Sequence, residues 1–400
     1  MKPAYSCKLF GAQQVFTGIQ GCVTLLHSVP GCNFGTLAIH APNDMARICQ
    51  TTSALNDEDI VFGGEASLRK ALYSIDELYH PELTAVITGC VSDIIHDDVA
   101  AVVKGYKGST EILVQEAAGF RGTFQDGFEA ALLRLADLMS PPETRPQGKP
   151  IVNVIGIGAD DPHGSADARA FQALLGPEVA LGCVIAQCSL QQLRQASNAS
   201  LNLVLGRGVS LAEEMKRRFG IPYEVVDYPY GLTGAEEIWS CLSRHLDIDT
   251  KPLADAFVRY TGERLKPVYS YLKSLYAMPV SVIGTGARYR GMARFLTQEL
   301  GAQVLCGQAR EELPDLDDFI DRVSASDTAL VFGSSFEGEI SGKLHIPVFY
   351  YDYPVFRRVC ITDRPYIGAA GTVNLIEALL NELMSFSTPQ SGTVPGSCGM

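Results

Sequence analysis

One pattern occurs twice in this chain. Val154-Ile155-Gly156-Ile157-Gly158-Ala159 returns as Val282-Ile283-Gly284-Thr285-Gly286-Ala287. At nearly the same offset, Ile221-Pro222 with Asp227-Tyr228-Pro229 returns as Ile346-Pro347 with Asp352-Tyr353-Pro354. Two matches at nearly one offset predict two copies of a structural unit, over 150–268 and 279–386. Each copy alternates strand and helix patterns. In the first, Leu201–Leu205 reads as a strand, Ser210–Phe219 as a helix ended by Gly220, and Pro222–Val226 as the next strand. In the second, Gly286–Leu300 reads as a helix, and Ala329–Phe332 and Pro347–Tyr351 as strands. Ser140–Pro150 crowds Pro, Gly and Ser into a linker, and the β-branched run Ile151–Ile157 after it reads as a buried strand. Residues 1–140 follow the same grammar, with strands at Ala85–Thr88 and Ile112–Gln115 and a helix at His96–Val103. Such alternation predicts an α/β chain of three domains, over 1–140, 150–268 and 279–386, each with a parallel sheet covered on both faces. Ser387–Met400, rich in Ser, Gly, Pro and Thr, is expected to be a disordered tail.

The charge balance excludes some partners. Lys and Arg number 32 against 45 Asp and Glu, a net −13, so no general electrostatic pull toward nucleic acid or an anionic bilayer is expected. No apolar run reaches the roughly 20 residues that span a membrane, and Met1–Cys7 has no apolar signal core, so a cytoplasmic location is expected. The glycine turns after Ile155 and Ile283 lack the third glycine of a dinucleotide fingerprint, because position 161 is Asp and position 289 is Tyr. They read as tight strand-to-helix turns. Neither a P-loop nor a G-x-S-x-G elbow occurs.

The cysteines are the first chemical signal. Five of the eleven fall within the first 90 residues, and none forms a C-x-x-C pair. Cys90 directly follows the strand Ala85–Thr88, Cys32 follows a second apolar stretch, and Cys7 opens the domain. Turns at the carboxyl ends of parallel strands are where ligands bind, and thiolates are the usual ligands of iron–sulfur clusters. Spacing alone leaves two readings open: three buried thiols, or ligands to a cluster.

The surrounding residues carry a resemblance. Cys7-Lys8-Leu9-Phe10-Gly11-Ala12 and His27-Ser28-Val29-Pro30-Gly31-Cys32 resemble the opening of component 1 of nitrogenases. So do Thr52–Asp59 with Val61-Phe62-Gly63-Gly64, the run Ile87–Asp98 around Cys90, and Gly119-Phe120-Arg121-Gly122-Thr123 followed by Gly127-Phe128. The likeness runs from Cys7 to about Leu380 and is to the β-type subunit. It implies nitrogenase component 1 architecture, three Rossmann-like domains with parallel sheets. It also implies that Cys7, Cys32 and Cys90 bind one half of an interfacial iron–sulfur cluster, an 8Fe–7S P-cluster type or alternatively 4Fe–4S. Three cysteines of an α-type partner would hold the other half. Where nitrogenase β subunits carry a serine that can ligate the oxidised cluster, this chain has Gly119. The α-type cofactor cysteine has no counterpart, since Gly206-Arg207-Gly208 follows the middle-domain strand and Cys188 comes one element too early. The resemblance therefore implies that no active-site cofactor is held here and that side chains fill the middle crevice. Cys22 and Cys49 read as core thiols.

Other residues have plainer readings. His27 reads as a satisfied turn or core histidine, with donation to a cluster sulfur as the sharper alternative. His96-Asp97-Asp98 reads as the acidic start of a helix. Asp160-Asp161-Pro162-His163 reads as a turn, the repeated Asp-Tyr-Pro as a strand-to-loop device, and Lys216-Arg217-Arg218 as a helix C-terminus.

In function, the resemblance implies a subunit of an ATP-dependent reductase, an α2β2 assembly fed by a separate ATP-hydrolysing iron protein with a 4Fe–4S cluster. No nucleic acid or membrane partner is expected. The chain is short, and Cys7 lies nearly at its start, without the long N-terminal extension of typical nitrogenase β chains. With three cluster cysteines it looks most like methylthio-alkane reductases, which reductively cleave carbon–sulfur bonds. The alternatives are a scaffold subunit for cofactor assembly and a dinitrogen-fixing nitrogenase β subunit.

Overall fold

The computed structural model describes residues 7–40, 49–142, 148–313, 315–359, 362 and 364–387. The centre of the expected linker, the expected tail from 388 on, Cys360 and Cys398 lie outside them. Ser387 closes the helix Gly368–Ser387.

Strands β1 (Ile19–Gln20), β2 (Cys22–His27), β3 (Gln50–Thr52), β4 (Leu83–Thr88) and β5 (Glu111–Glu116) come first. β6 (Ile151–Ile155), β7 (Ala180–Val184), β8 (Cys188–Ser189), β9 (Leu201–Val204) and β10 (Tyr223–Val225) follow. β11 (Pro279–Gly284), β12 (Gln303–Ala309), β13 (Leu330–Gly333) and β14 (Val348–Tyr350) complete the set. Three four-stranded sheets result, ordered β3-β2-β4-β5, β10-β9-β6-β7 and β12-β11-β13-β14. Every pairing within them is parallel. Numbered within its own sheet, each has the order 2-1-3-4. Each therefore has one switch point, between its first and third strands, where a crevice opens at the carboxyl ends.

Apolar sequence explains the central strands. β2 and β4 are buried along their whole length, as strands covered on both faces must be. Successive side chains serve opposite faces. Leu26, Ala85 and Ile87 pack toward Phe16, Phe128 and Leu132, while Leu25 and Val86 pack toward Leu68, Leu72 and Val102. The cores do not stop at sheet boundaries. One joins Leu26 and Phe128 to Ile155, Cys183 and Met215, and another joins Val152 and Leu203 to Val282 and Leu330. A short parallel pair, β1 with β8, also ties the first sheet's region to the second's.

Two helices cross with their backbones in contact. A Cβ at Gly11, in Lys8–Phe16, would run into the carbonyl of Phe124, and one at Gly127, in Phe124–Leu135, would run into the carbonyl of Lys8. Gly127→Ala is expected to lower the unfolding free energy by about 1–3 kcal/mol, the usual cost of overpacking. Urea denaturation measures it, and a loss below about 0.5 kcal/mol, the scale of an ordinary surface change, would mean that the crossing relaxes freely.

Three expectations need correction. The helix expected at His96–Val103 starts only at Val99 and runs to Gly105; a separate short helix, Cys90–Ile94, precedes it, and His96 between them is left-handed at φ 58°. Asp98 caps the Val99–Gly105 helix through Ala101 N–H, but Asp97 is drawn elsewhere. The helix expected over Gly286–Leu300 passes into a π-turn at Phe295–Glu299. There Glu299 accepts the Leu232 and Thr233 amides at the start of helix Gly231–Leu246. The two Asp-Tyr-Pro copies differ as well: Asp227 pairs with Arg290 near the surface, whereas Asp352 is fully buried and accepts from Thr285. By contrast, Lys216-Arg217-Arg218 do end a helix, before a left-handed Gly220.

Candidate metal centre

The first sheet's switch point lies between β2 and β4, and the loops leaving these strands carry Cys32 and Cys90. Cys32 sits in the first turn of helix Pro30–His40, Cys90 begins helix Cys90–Ile94, and Cys7 is the residue before helix Lys8–Phe16. Helix N-termini favour thiolates, because their amides and dipole stabilise negative charge.

Gly119 brings two of the sulfurs together. Its N–H donates to Cys90 Sγ at 3.1 Å. A Cβ built on it would stand 2.9 Å from Cys7 Sγ and 3.4 Å from Cys90 Sγ. The Ser28 hydroxyl donates to Cys32 Sγ at 3.3 Å. All three thiols are half-buried. Burial pushes the Cys7 thiol above its ordinary value; the Leu9 and Phe10 amides oppose this, and the neighbouring Cys90 and Cys32 thiols add to it. Three soft donors thus share one place where their negative forms repel, an arrangement that bound cationic metal would relieve. Thiolates are the usual ligands of iron–sulfur clusters, so the chemistry of this donor set fits such a group. Exposed apolar side chains flank it: Phe34 is 74 % exposed, Ile94 64 % and Phe120 59 %.

His27 proves a satisfied core histidine. Its ring nitrogens lie 2.9 Å from Ser53 Oγ and 2.9 Å from Asp97 Oδ2, with both ring and carboxylate buried. Burial pushes its pKa down against the opposing pull of Asp97. Asp97 also accepts the Gly64 amide at 2.7 Å, so its role is to pin loops and not to complement a helix dipole. Cys22, Cys183 and Cys188 are buried core thiols, and Cys49 and Cys306 are half-buried and pack against other cores. No sequence pattern joined Asp97 to His27, Gly119 to Cys90 or Ser28 to Cys32. The last pair has i, i+4 spacing, and Gly119 was singled out by its resemblance alone.

Among the described residues, charged side chains line the other two switch points. In the second sheet, Arg207 lies between left-handed Gly206 and Gly208, donates to the Gly156 carbonyl at 2.8 Å and pairs with Asp161. Arg288 stands 3.5 Å from the same carboxylate and over the Tyr228 ring. In the third sheet, Arg310 grips Glu337 in a bidentate pair at 2.8 and 3.0 Å. Amides at both crevices face the chain's own carboxylates: Gly158 to Asp161, Gly208 to Glu129 and Gly286 to Glu311. Asp161 in the expected turn is therefore a crevice residue. Between Arg207, Arg288, Glu311 and Glu312 a pocket of about 290 Å³ remains.

Comparison with known proteins adds the family. The profile described as Nitrogenase component 1 type Oxidoreductase matches residues 7–384. The nitrogenase molybdenum-iron protein beta chain of Methanococcus maripaludis is 24 % identical, covering 96 % of this chain and 94 % of that one. The nitrogenase iron-molybdenum cofactor biosynthesis protein NifE of Methanosarcina barkeri is 28 % identical over 75 % of this chain and 68 % of its own length. The solved structure of nitrogenase Cp1 at pH 6.5 superposes with a TM-score of 0.79 at 19 % identity, over 98 % of this chain and 96 % of that one, a likeness of fold. Among the described residues no helix is long and apolar enough to cross a membrane. With three parallel sheets of one order, a thiol trio at the first and a family profile spanning nearly all of it, the chain belongs to the nitrogenase component 1 type oxidoreductases.

Proposed function

We propose that this chain is the β-type subunit of an ATP-dependent, nitrogenase-like reductase. Cys7, Cys32 and Cys90 would hold one half of an iron–sulfur cluster, P-cluster-like, at the interface with an α-type partner. The observation that carries this is the convergence of three thiols on one crevice rimmed by exposed apolar side chains. A cluster held there supplies one-electron storage and relay from an iron protein toward the partner's cofactor. The chain's own part is to present thiolates at helix N-termini, to donate hydrogen bonds to all three sulfurs and to offer an apolar rim for docking. Arg207, Asp161 and Arg288 crowd the second crevice, which favours binding of substrate in the partner. For the reaction we propose reductive carbon–sulfur cleavage of small methylthio-alkanes. Gly119, in place of the serine of nitrogenase β subunits, favours this over dinitrogen fixation. The likeness to NifE supports a second reading, a cofactor-assembly scaffold.

Turnover separates the readings. The complex, purified without oxygen and supplied with iron protein, MgATP and reductant, is expected to release methanethiol continuously from a methylthio-alkane. A single release of a metal cluster with no continuing ATP use would establish the scaffold instead. The chain produced alone is expected to carry little iron, and co-production with its α-type partner to restore it. Iron and sulfide assays check this, and a fully loaded lone chain would refute the shared-cluster proposal.

A further inference from the structure

We propose that Ser28 is a positioning residue that sets the electron-donating strength of Cys32. The inference rests on the reading of Cys32 as a cluster ligand. Ser28 follows the last residue of β2 and is fully buried. Its backbone has little freedom. Leu55 N–H donates to the Ser28 carbonyl at 3.1 Å, and Gly89 N–H donates to the His27 carbonyl at 3.1 Å. The His27 ring is held from both sides by Ser53 and Asp97. The side chain is equally confined. A Cβ at Gly89 would overlap the Ser28 hydroxyl, so the absence of a side chain there makes its room. From this slot the hydroxyl donates to Cys32 Sγ at 3.3 Å.

The three thiols differ in what supports them. Cys7 takes backbone amides from Leu9 and Phe10, and Cys90 takes the Gly119 amide. The Ser28 hydrogen bond to Cys32 comes from a side chain, so substitution removes it without changing the main chain. A hydrogen bond to a thiolate ligand withdraws electron density and stabilises the more negative, reduced state. Such bonds are among the levers that set iron–sulfur potentials. Losing one moves the potential to a more negative value.

The test uses the complex with the α-type partner, purified without oxygen, as wild type, Ser28→Ala, Ser28→Thr and Cys32→Ala. Iron content, the EPR spectrum and the midpoint potential from an EPR-monitored redox titration are read. Ser28→Ala is expected to keep its iron and shift the midpoint to a more negative value. Ser28→Thr, which retains the hydroxyl, is expected to keep the wild-type midpoint. A Ser28→Ala midpoint equal to wild type overturns the inference, and so does an equal shift in both Ser28 variants, which would assign the effect to shape. If Ser28→Ala loses its iron, iron restored in Ser28→Thr supports the hydroxyl's role and iron lost in both overturns it. Iron and signal that survive Cys32→Ala would instead defeat the ligand reading, a result distinct from every Ser28 outcome.

Discussion

Cys32→Ala, made in the complex with the α-type partner, is expected to abolish activity and the cluster's EPR signal, with Cys7→Ala and Cys90→Ala doing the same. The loss should exceed the roughly 100-fold that even outer partners cost at metal sites, because a ligand itself is removed. Cys306→Ala is expected to do neither, since Cys306 lies in β12 and packs against the core around Ile283 and Phe319. Steady-state rates, bound iron and EPR of the four variants make the comparison. A Cys306 variant without iron beside a Cys32 variant with iron would refute the assignment.

Arg310→Ala is expected to destabilise the chain by about 3–5 kcal/mol at neutral pH, the usual cost of stranding one half of a buried ion pair. Glu337 is fully buried, and Arg310 also stands 3.5 Å from Asp352. Burial alone would raise the Glu337 pKa. The Arg310 guanidinium and the Ser334 N–H and O–H outweigh it and hold the carboxyl below its ordinary value. A depressed folded-state pKa means that this stabilisation is present above the unfolded value and fades as pH falls through the folded one. In the variant Glu337 has lost its cation, so protonation relieves it. The gap between variant and wild type should therefore narrow on acidification. Urea denaturation at pH 7 and at about pH 4, near the ordinary carboxylate value, reads both effects. A gap that widens in acid would show that Glu337 is not the group left stranded.

Much of the fold could be read because local pattern and global position agree. Cys22–His27 and Leu83–Thr88 are apolar throughout, and a uniformly apolar strand belongs at the centre of a sheet covered on both sides. The repeated Gly-x-Gly turns mark the first strands of two sheets that share an order. Cys90 stands one glycine beyond β4, so its place in a crevice followed from the strand itself. The failures lie where distant groups outbid local ones. His96-Asp97-Asp98 has the composition of a helix start, yet Asp97 answers to a histidine 70 residues away. Glu299 ends an apparently regular helix, but the amides of Leu232 and Thr233 draw it into a π-turn. Arg207 looks like a loop cation and is a buried partner of Asp161. In each case a charged or polar group found its partner through tertiary structure, which neither periodicity nor composition encodes.

Under the proposed cluster reading, the close backbone approach of two helices at Gly11 and Gly127 would bear on how fast an electron could pass. Cys7 directly precedes one of the two helices, and Gly119 lies shortly before the other. Their separation is thus set by main chain meeting main chain, with no rotamer between them to change. A side-chain interface would leave torsions free to readjust when the charge at the thiols changes, and each readjustment would add to the activation barrier. A crossing of bare glycines removes that freedom before any electron arrives. If the thiols hold a cluster as proposed, the glycine pair would serve a low reorganisation energy as well as stability, and even a small methyl there would be felt as slower transfer.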